Sequence, residues 1–237
     1  MRDRSNYPRV TTVLHEGFKD GNLETWAVKE AMKKLVMLHQ DYCGSHDDAP
    51  DVAALCEEAK GASKEIMQNA ARRGTAVHHL IEGKNRAELS IIEGDWESVE
   101  PMYESFELWA KERNFKALAN EVPVWSDKHG YKGTLDCIGE VDGVVTLCDW
   151  KTSNVIRLEY RMQLAAYWYA YKESQTNPLD TKLIRIVRFG GRSDKSSQLK
   201  DLVTYEEMII DGEEEIAVDF NAFLAAKRLL DWKLKRK

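Results

Sequence analysis

The spacing of hydrophobic positions changes partway along the chain. Over residues 23–40 (LETWAVKEAMKKLVMLHQ), Trp26, Met32, Leu35, Val36 and Leu38 gather on one side of a 3.6-residue period, which predicts an amphipathic helix. The GSHDDAP run at 44–50 reads as loop. A second helical stretch is expected from near Asp51 to Ile81, with Gly61 a candidate break and Gly83 a stop. A third covers about 97–113, with Met102, Phe106 and Trp109 as its buried stripe. Then the period shortens. ALANEVPVW (117–125) reads as a strand, and KGTLDCIGEVDGVVTLCDWKT (132–152) as a β-hairpin turning at Asp142-Gly143, a dipeptide suited to the positive φ of a tight turn. Residues 156–173 return to helix, and LIRIVRF (183–189) and LKDLVTY (199–205) read as strands joined by the polar loop GGRSDKSSQ. A helix from about 212 to 234 closes the chain with a basic end.

Helices, three strands, a helix, two strands and a helix, in that order, predict an α/β sandwich with a mixed central sheet. The expected organisation is one domain over 1–237: a mainly helical portion to 115, the sheet and its helix over 116–210, and a C-terminal helix over 211–237. No repeat, low-complexity segment or linker interrupts it.

Composition narrows the setting more than the chemistry. At 237 residues and 43% hydrophobic, the chain can fill one sizeable core. No apolar run approaches the ~20 residues of a membrane helix. The opening MRDRSNYPRV has the pattern of neither a signal nor a transit peptide, so a cytoplasmic protein is expected. Cys43, Cys56, Cys137 and Cys148 form no CxxC pair and read as reduced, packed thiols. The net charge of −6 does not exclude a nucleic-acid partner, because the acid excess is confined to one end. Residues 155–237 carry 15 Lys and Arg against 13 Asp and Glu, while the first 154 carry 19 against 27.

The sharpest chemical feature is Gly133-Thr134-Leu135-Asp136, followed thirteen residues later by Asp149-Trp150-Lys151. On the hairpin reading, Asp136 and Asp149 reach the same level of two paired strands, and Asp149 and Lys151 project from one face. Carboxylates bind hard ions such as Mg²⁺ or Mn²⁺. A bound ion acidifies water and neutralises phosphate charge, and an ammonium stabilises the transition state. A surface hairpin with ordinary charges is the competing reading. Against it, Asp149-Trp150-Lys151 ends an apolar strand, where unpaired charge is costly.

The block resembles the RecB-like exonucleases, phage-type single-domain members included, of the PD-(D/E)XK nuclease superfamily. RGTAVHHLIEG (73–83), NEVPVW (120–125), GTLD, DWKTS and QLAAY (163–167) match that family's motifs in order, and YPRVTTVL resembles the opening of phage members. The resemblance implies a restriction-endonuclease-like core and a Mg²⁺- or Mn²⁺-dependent deoxyribonuclease. It implies Asp136, Asp149 and His78 as metal ligands, the Trp150 carbonyl as a further one, and Lys151 as the catalytic lysine. Glu121 holds the family position with its job open: holding the ion through water, orienting Lys151, or simply ending a strand. Gln163 and Tyr167 are implied to position Lys151 or contact DNA; the rival for Tyr167 is an aromatic packing stripe. Leu135 stands where the superfamily's name has proline. No cysteine follows Cys148, so no iron–sulfur cluster is expected.

Expected DNA contacts are Arg73, Lys132, Arg157, Arg161, Arg188 and Arg192, with solvated surface charge as the alternative for about half of such arginines. The expected partners are linear or single-stranded DNA and recombination or single-strand-binding proteins, in a bacterial or phage-infected cell. The competing functions are a non-catalytic DNA-binding or assembly protein and a structure-specific endonuclease.

Overall fold

The computed structural model describes residues 3–17, 22–45, 52–84, 96–190 and 204–236. Its elements are α1 (Val10–Gly17), α2 (Asn22–Ser45), α3 (Val52–Ile81), α4 (Trp96–Glu112), β1 (Lys116–Ser126), β2 (Tyr131–Val141), β3 (Val144–Lys151), α5 (Leu158–Ser174), β4 (Leu183–Phe189), β5 (Tyr205–Asp211) and α6 (Glu213–Leu234). They divide into two compact units, one of Met1–Lys19 with Ala76–Lys237, the other of Asp20–Thr75.

The smaller unit is helical, made of α2 and of α3 as far as Thr75. Two sequence expectations shift here. Helix α2 runs on through Gly44 and Ser45, and α3 passes Gly61 without a break. A glycine inside a helix costs only about 1 kcal/mol relative to alanine, which the Ala-, Glu- and Lys-rich run around Gly61 absorbs. The apolar stripe expected on α2 is only partly covered, with Met32 and Val36 exposed and Leu35 and Leu38 half-buried.

The larger unit is a five-stranded mixed sheet in the order β1-β2-β3-β4-β5 with helices on both faces. Only β3 and β4 are parallel. A parallel pair needs a long crossover, and α5 supplies it. On one face α1, α5 and α6 cover Leu135, Leu147, Ile184 and Ile186. On the other, α4 and the last turns of α3 cover Cys137, Cys148, Trp150, Val187 and Phe189. The apolar run VVTLC therefore belongs to a strand buried on both sides. Side chains alternate along β3, so Leu147, Asp149 and Lys151 face α5 while Cys148 and Trp150 face α4. The Trp150 ring is wedged edge-on among Phe106, Trp109 and Phe115, at centroid distances of 5.7, 5.3 and 5.6 Å.

The last strand lies further on than the sequence pattern placed it. Residues 199–203 fall outside the described residues, and β5 is YEEMIID, Tyr205–Asp211. Its charges are satisfied across the sheet. Arg188, the Cα partner of Glu206, donates to it at 3.0 Å. Glu207 accepts from Trp109 Nε1, from Arg185 at 2.7 Å and from Arg113 at 2.9 Å. Burial raises the Glu207 carboxyl, but Trp109 and the two arginines outweigh it and hold its pKa below the ordinary value. The depressed pKa makes this a stabilising contribution above the ordinary carboxylate range, lost as pH falls through the folded value. Removing Glu207 leaves Arg185 buried and uncompensated. Glu207→Ala is expected to cost about 3 kcal/mol, read as a lower urea midpoint at unchanged slope. A loss under about 1 kcal/mol would make this a surface-like pair instead.

Candidate metal centre and active site

The site forms where the hairpin comes apart. Pairing of β2 with β3 ends at Cys137↔Cys148, so the next rung, Asp136 opposite Asp149, carries side chains instead of a continued ladder. There the Trp150 N–H donates to Asp136 Oδ2 at 2.9 Å. The Trp150 carbonyl accepts from His78 Nε2 at 3.1 Å. The carbonyl can only accept, so Nε2 carries the proton and Nδ1 keeps its lone pair, 3.7 Å from Asp136 Oδ2. One peptide unit thus orients both groups, and the aromatic wedge around the Trp150 ring holds that peptide in place. The Trp150 carbonyl, implied as a metal ligand, is here the acceptor for His78.

Glu121 completes the cluster from β1. Its neighbours pair as Asn120↔Cys137 and Val122↔Leu135, which sets Glu121 opposite Asp136. Its φ of 49° lies in the left-handed region, an unfavourable place for glutamate. Strain of this kind, on the order of 1 kcal/mol, collects where function demands a direction. Ligand atoms of His78, Glu121 and Asp136 all lie within 4.8 Å of one another. The Glu121 carboxylate thus lies with the His78 and Asp136 atoms that could hold an ion.

Asp149 and Lys151 stand beside this cluster as a pair, Lys151 Nζ meeting Asp149 Oδ2 at 2.5 Å. Asp149 is fully buried, and among the described residues its Oδ1 has no hydrogen-bond partner. Burial, reinforced by the charge of Asp149, pushes the Asp136 carboxyl well above the usual range. Burial pulls the Lys151 ammonium down, but Asp149 and Asp136 overcome this and hold it above its ordinary value. Burial keeps the His78 imidazole below its ordinary pKa, and so neutral, despite the pull of Asp149.

Helix α5 presents a stripe to the same place. Gln163 Nε2 donates to the Tyr167 hydroxyl at 3.2 Å, and burial pushes that phenol up to about 12. The Tyr167 ring packs against Gly133, where a Cβ would come within 2.4 Å of it. That contact gives the glycine of the GTLD run a physical reason. One turn earlier, the Tyr160 ring centroid lies 4.7 Å from Lys151 Nζ. Tyr160 belongs to no motif in the sequence; its spacing of three from Gln163 and seven from Tyr167 is the signal that places it on their face.

Three of the six expected phosphate contacts are engaged elsewhere. Arg161 directs its guanidinium at Asp219 and, at 2.5 Å, at Glu215. Arg188 neighbours Lys151 in register but is buried, bonded to Glu206 and to the Gly190 carbonyl. Lys132 donates to the carbonyls of Arg4 and Ser5, fastening the opening segment. Each has met an internal acceptor that the local sequence does not reveal. Arg157 stays solvent-facing, with only a 3.4 Å contact to Glu159. Arg73 belongs to the smaller unit, and Arg192 lies outside the described residues. Cys137 and Cys148 are buried free thiols, Cys137 pushed up to about 12 by burial.

The residues present fit a divalent cation. Two carboxylates and a neutral imidazole converge, a third buried carboxylate keeps an unpartnered oxygen, and oxygen-rich sets with one imidazole suit hard to borderline ions. A model of the PD-(D/E)XK nuclease superfamily matches residues 37–229. Among solved structures, a phage-related exonuclease from Haemophilus somnus 129PT aligns at 14% identity over 71% of this chain and 82% of its own, with a TM-score of 0.33. None of the curated proteins is a match.

Two outcomes follow from the electrostatics. The raised Asp136 pKa means that the folded chain holds its proton more tightly than the unfolded one, so rising pH removes stability until a cation replaces the proton. The thermal shift produced by Mn²⁺ is therefore expected to grow from mildly acidic to mildly alkaline buffer; a shift independent of pH would contradict this. Glu121→Asn places a residue tolerant of positive φ there and removes a charge beside Asp136. It is expected to raise the melting temperature by about 2 °C and to weaken Mn²⁺ binding by on the order of tenfold, measured by calorimetry.

Proposed function

Because the chain belongs to the PD-(D/E)XK nuclease superfamily, we propose that it is a Mg²⁺- or Mn²⁺-dependent deoxyribonuclease, acting as an exonuclease on DNA ends or single strands in recombination, repair or phage DNA processing. The supporting observation is the convergence of His78, Glu121 and Asp136 beside the buried Asp149–Lys151 pair. The exonuclease mode rests on the resemblance of the motif order to RecB-like exonucleases.

His78, Glu121, Asp136 and Asp149 would hold the ion, the imidazole through the nitrogen that does not donate to Trp150. The bound ion supplies Lewis-acid neutralisation of phosphate charge and a more acidic attacking water. Lys151 stays protonated beside Asp149 and donates to the oxygens on which negative charge grows, in a pocket whose low dielectric strengthens the contact. The Gln163–Tyr167 pair borders that pocket and keeps the α5 side of the strand fixed. Arg157 is the solvent-facing cation that follows the catalytic strand, suited to a flanking phosphate. Among the described residues no helix is long and apolar enough to cross a membrane.

The test is incubation with end-labelled linear single-stranded DNA and a covalently closed circle, in Mg²⁺, Mn²⁺ or EDTA. Metal-dependent loss of the linear strand alone is expected, slowed by on the order of a thousandfold in Asp149→Ala. Cutting of the circle would identify an endonuclease. Retention of DNA in a gel shift with no cutting in any metal would leave a binding protein on this fold.

A further inference from the structure

We propose that Tyr160 is a positioning residue whose ring face forms the second wall, beside Asp149, of a socket for the Lys151 ammonium. The inference rests on the reading of Lys151 as the catalytic ammonium. A lysine carries its charge on four rotatable bonds, so a catalytic one must be held from more than one side. At one wall Asp149 Oδ2 lies 2.5 Å from Nζ. At the second the Tyr160 centroid lies 4.7 Å away, well inside the ~6 Å reach of a cation–π contact. The Lys151 side chain is only 15% exposed, so little water competes for the ammonium.

The ring is itself tied down. The Tyr160 hydroxyl donates to Ser153 Oγ at 3.1 Å, and Ser153 Oγ donates to the Val155 carbonyl at 2.9 Å. The Tyr160 N–H donates to the Arg157 carbonyl at 3.1 Å in the first turn of α5. Both anchors belong to the turn the chain makes on leaving Lys151, so ring and ammonium move together. The two walls also differ in kind. Asp149 is a candidate ligand with an unpartnered oxygen, and a carboxylate shared with a cation attracts an ammonium less. The neutral ring face keeps its attraction whatever Asp149 binds. Packing alone accounts for a half-buried tyrosine; it does not account for a ring face turned to the one lysine of the catalytic strand.

The test uses the full chain with Tyr160→Leu, Tyr160→Phe, Lys151→Gln and the Leu/Gln double variant. In metal-free protein with carbon-13-labelled lysine, the Lys151 Hε resonance is identified by its loss in Lys151→Gln. It is expected upfield in the wild type and in Tyr160→Phe, and at the ordinary lysine position in Tyr160→Leu. With Mn²⁺ and linear DNA, Tyr160→Leu is expected to lower kcat by on the order of tenfold with KM within about twofold, and Tyr160→Phe, which keeps the ring face and loses only its tether, to lower kcat by no more than about twofold. In the Lys151→Gln background, Tyr160→Leu should add no further loss. The proposal is overturned by a lysine signal that Tyr160→Leu does not move, by equal losses in Leu and Phe, or by a loss confined to KM. A wild type inert on every DNA, with the lysine still ring-shifted, would instead overturn the nuclease reading and the role given to Lys151.

Discussion

Two carboxylates forced together out of water are the constraint on which the site depends. Asp136 and Asp149 end the paired part of a hairpin, at the level where backbone bonding stops, and the charge of each bears on the other. A buried carboxylate pair is unfavourable unless a cation answers it. Lys151 supplies one positive charge, which leaves Asp149 with an unpartnered oxygen and Asp136 with a raised pKa. The remaining deficit of positive charge is what suits the cluster to a divalent ion.

The rest of the larger unit keeps that unfavourable arrangement from relaxing. The aromatic wedge of Phe106, Trp109 and Phe115 fixes the Trp150 ring, and the Trp150 peptide, through its carbonyl and its N–H, fixes His78 and Asp136. Glu121 is aimed by a backbone conformation that glutamate does not favour. Side chains that could swing away from like charge are thus attached to strands and a helix end that cannot. The stability sacrificed at the site is offset by the two hydrophobic layers around the sheet and by the Glu207 clamp at its edge.

The parts of this arrangement set by local rules were legible in the sequence. Asp142-Gly143 dictates the hairpin turn, the hairpin sets Asp136 against Asp149, and the two-residue period puts Lys151 beside Asp149. The helical spacing of Gln163 and Tyr167 likewise foretold their contact. What escaped depends on partners distant in sequence. The strand Tyr205–Asp211 was missed because Glu206 and Glu207 look like solvent-facing charge until Arg188 and Arg185 are known to lie across from them. Arg161 and Arg188 resembled free phosphate contacts for the mirror-image reason. The sequence pattern also gave no sign that the end of α3 brings His78 within hydrogen-bond distance of the Trp150 carbonyl. Tyr160 had no motif to mark it, and only the fold turns its ring toward Lys151.

The most direct test of the central claim is a crystal structure of the protein soaked in Mn²⁺, with anomalous difference density collected above the manganese edge. A principal peak is expected with the nearest atoms of His78, Glu121, Asp136 and Asp149 around it, at about 2.0–2.2 Å for those bound directly. A principal peak elsewhere, or none with Asp149 still closed on Lys151, would contradict it.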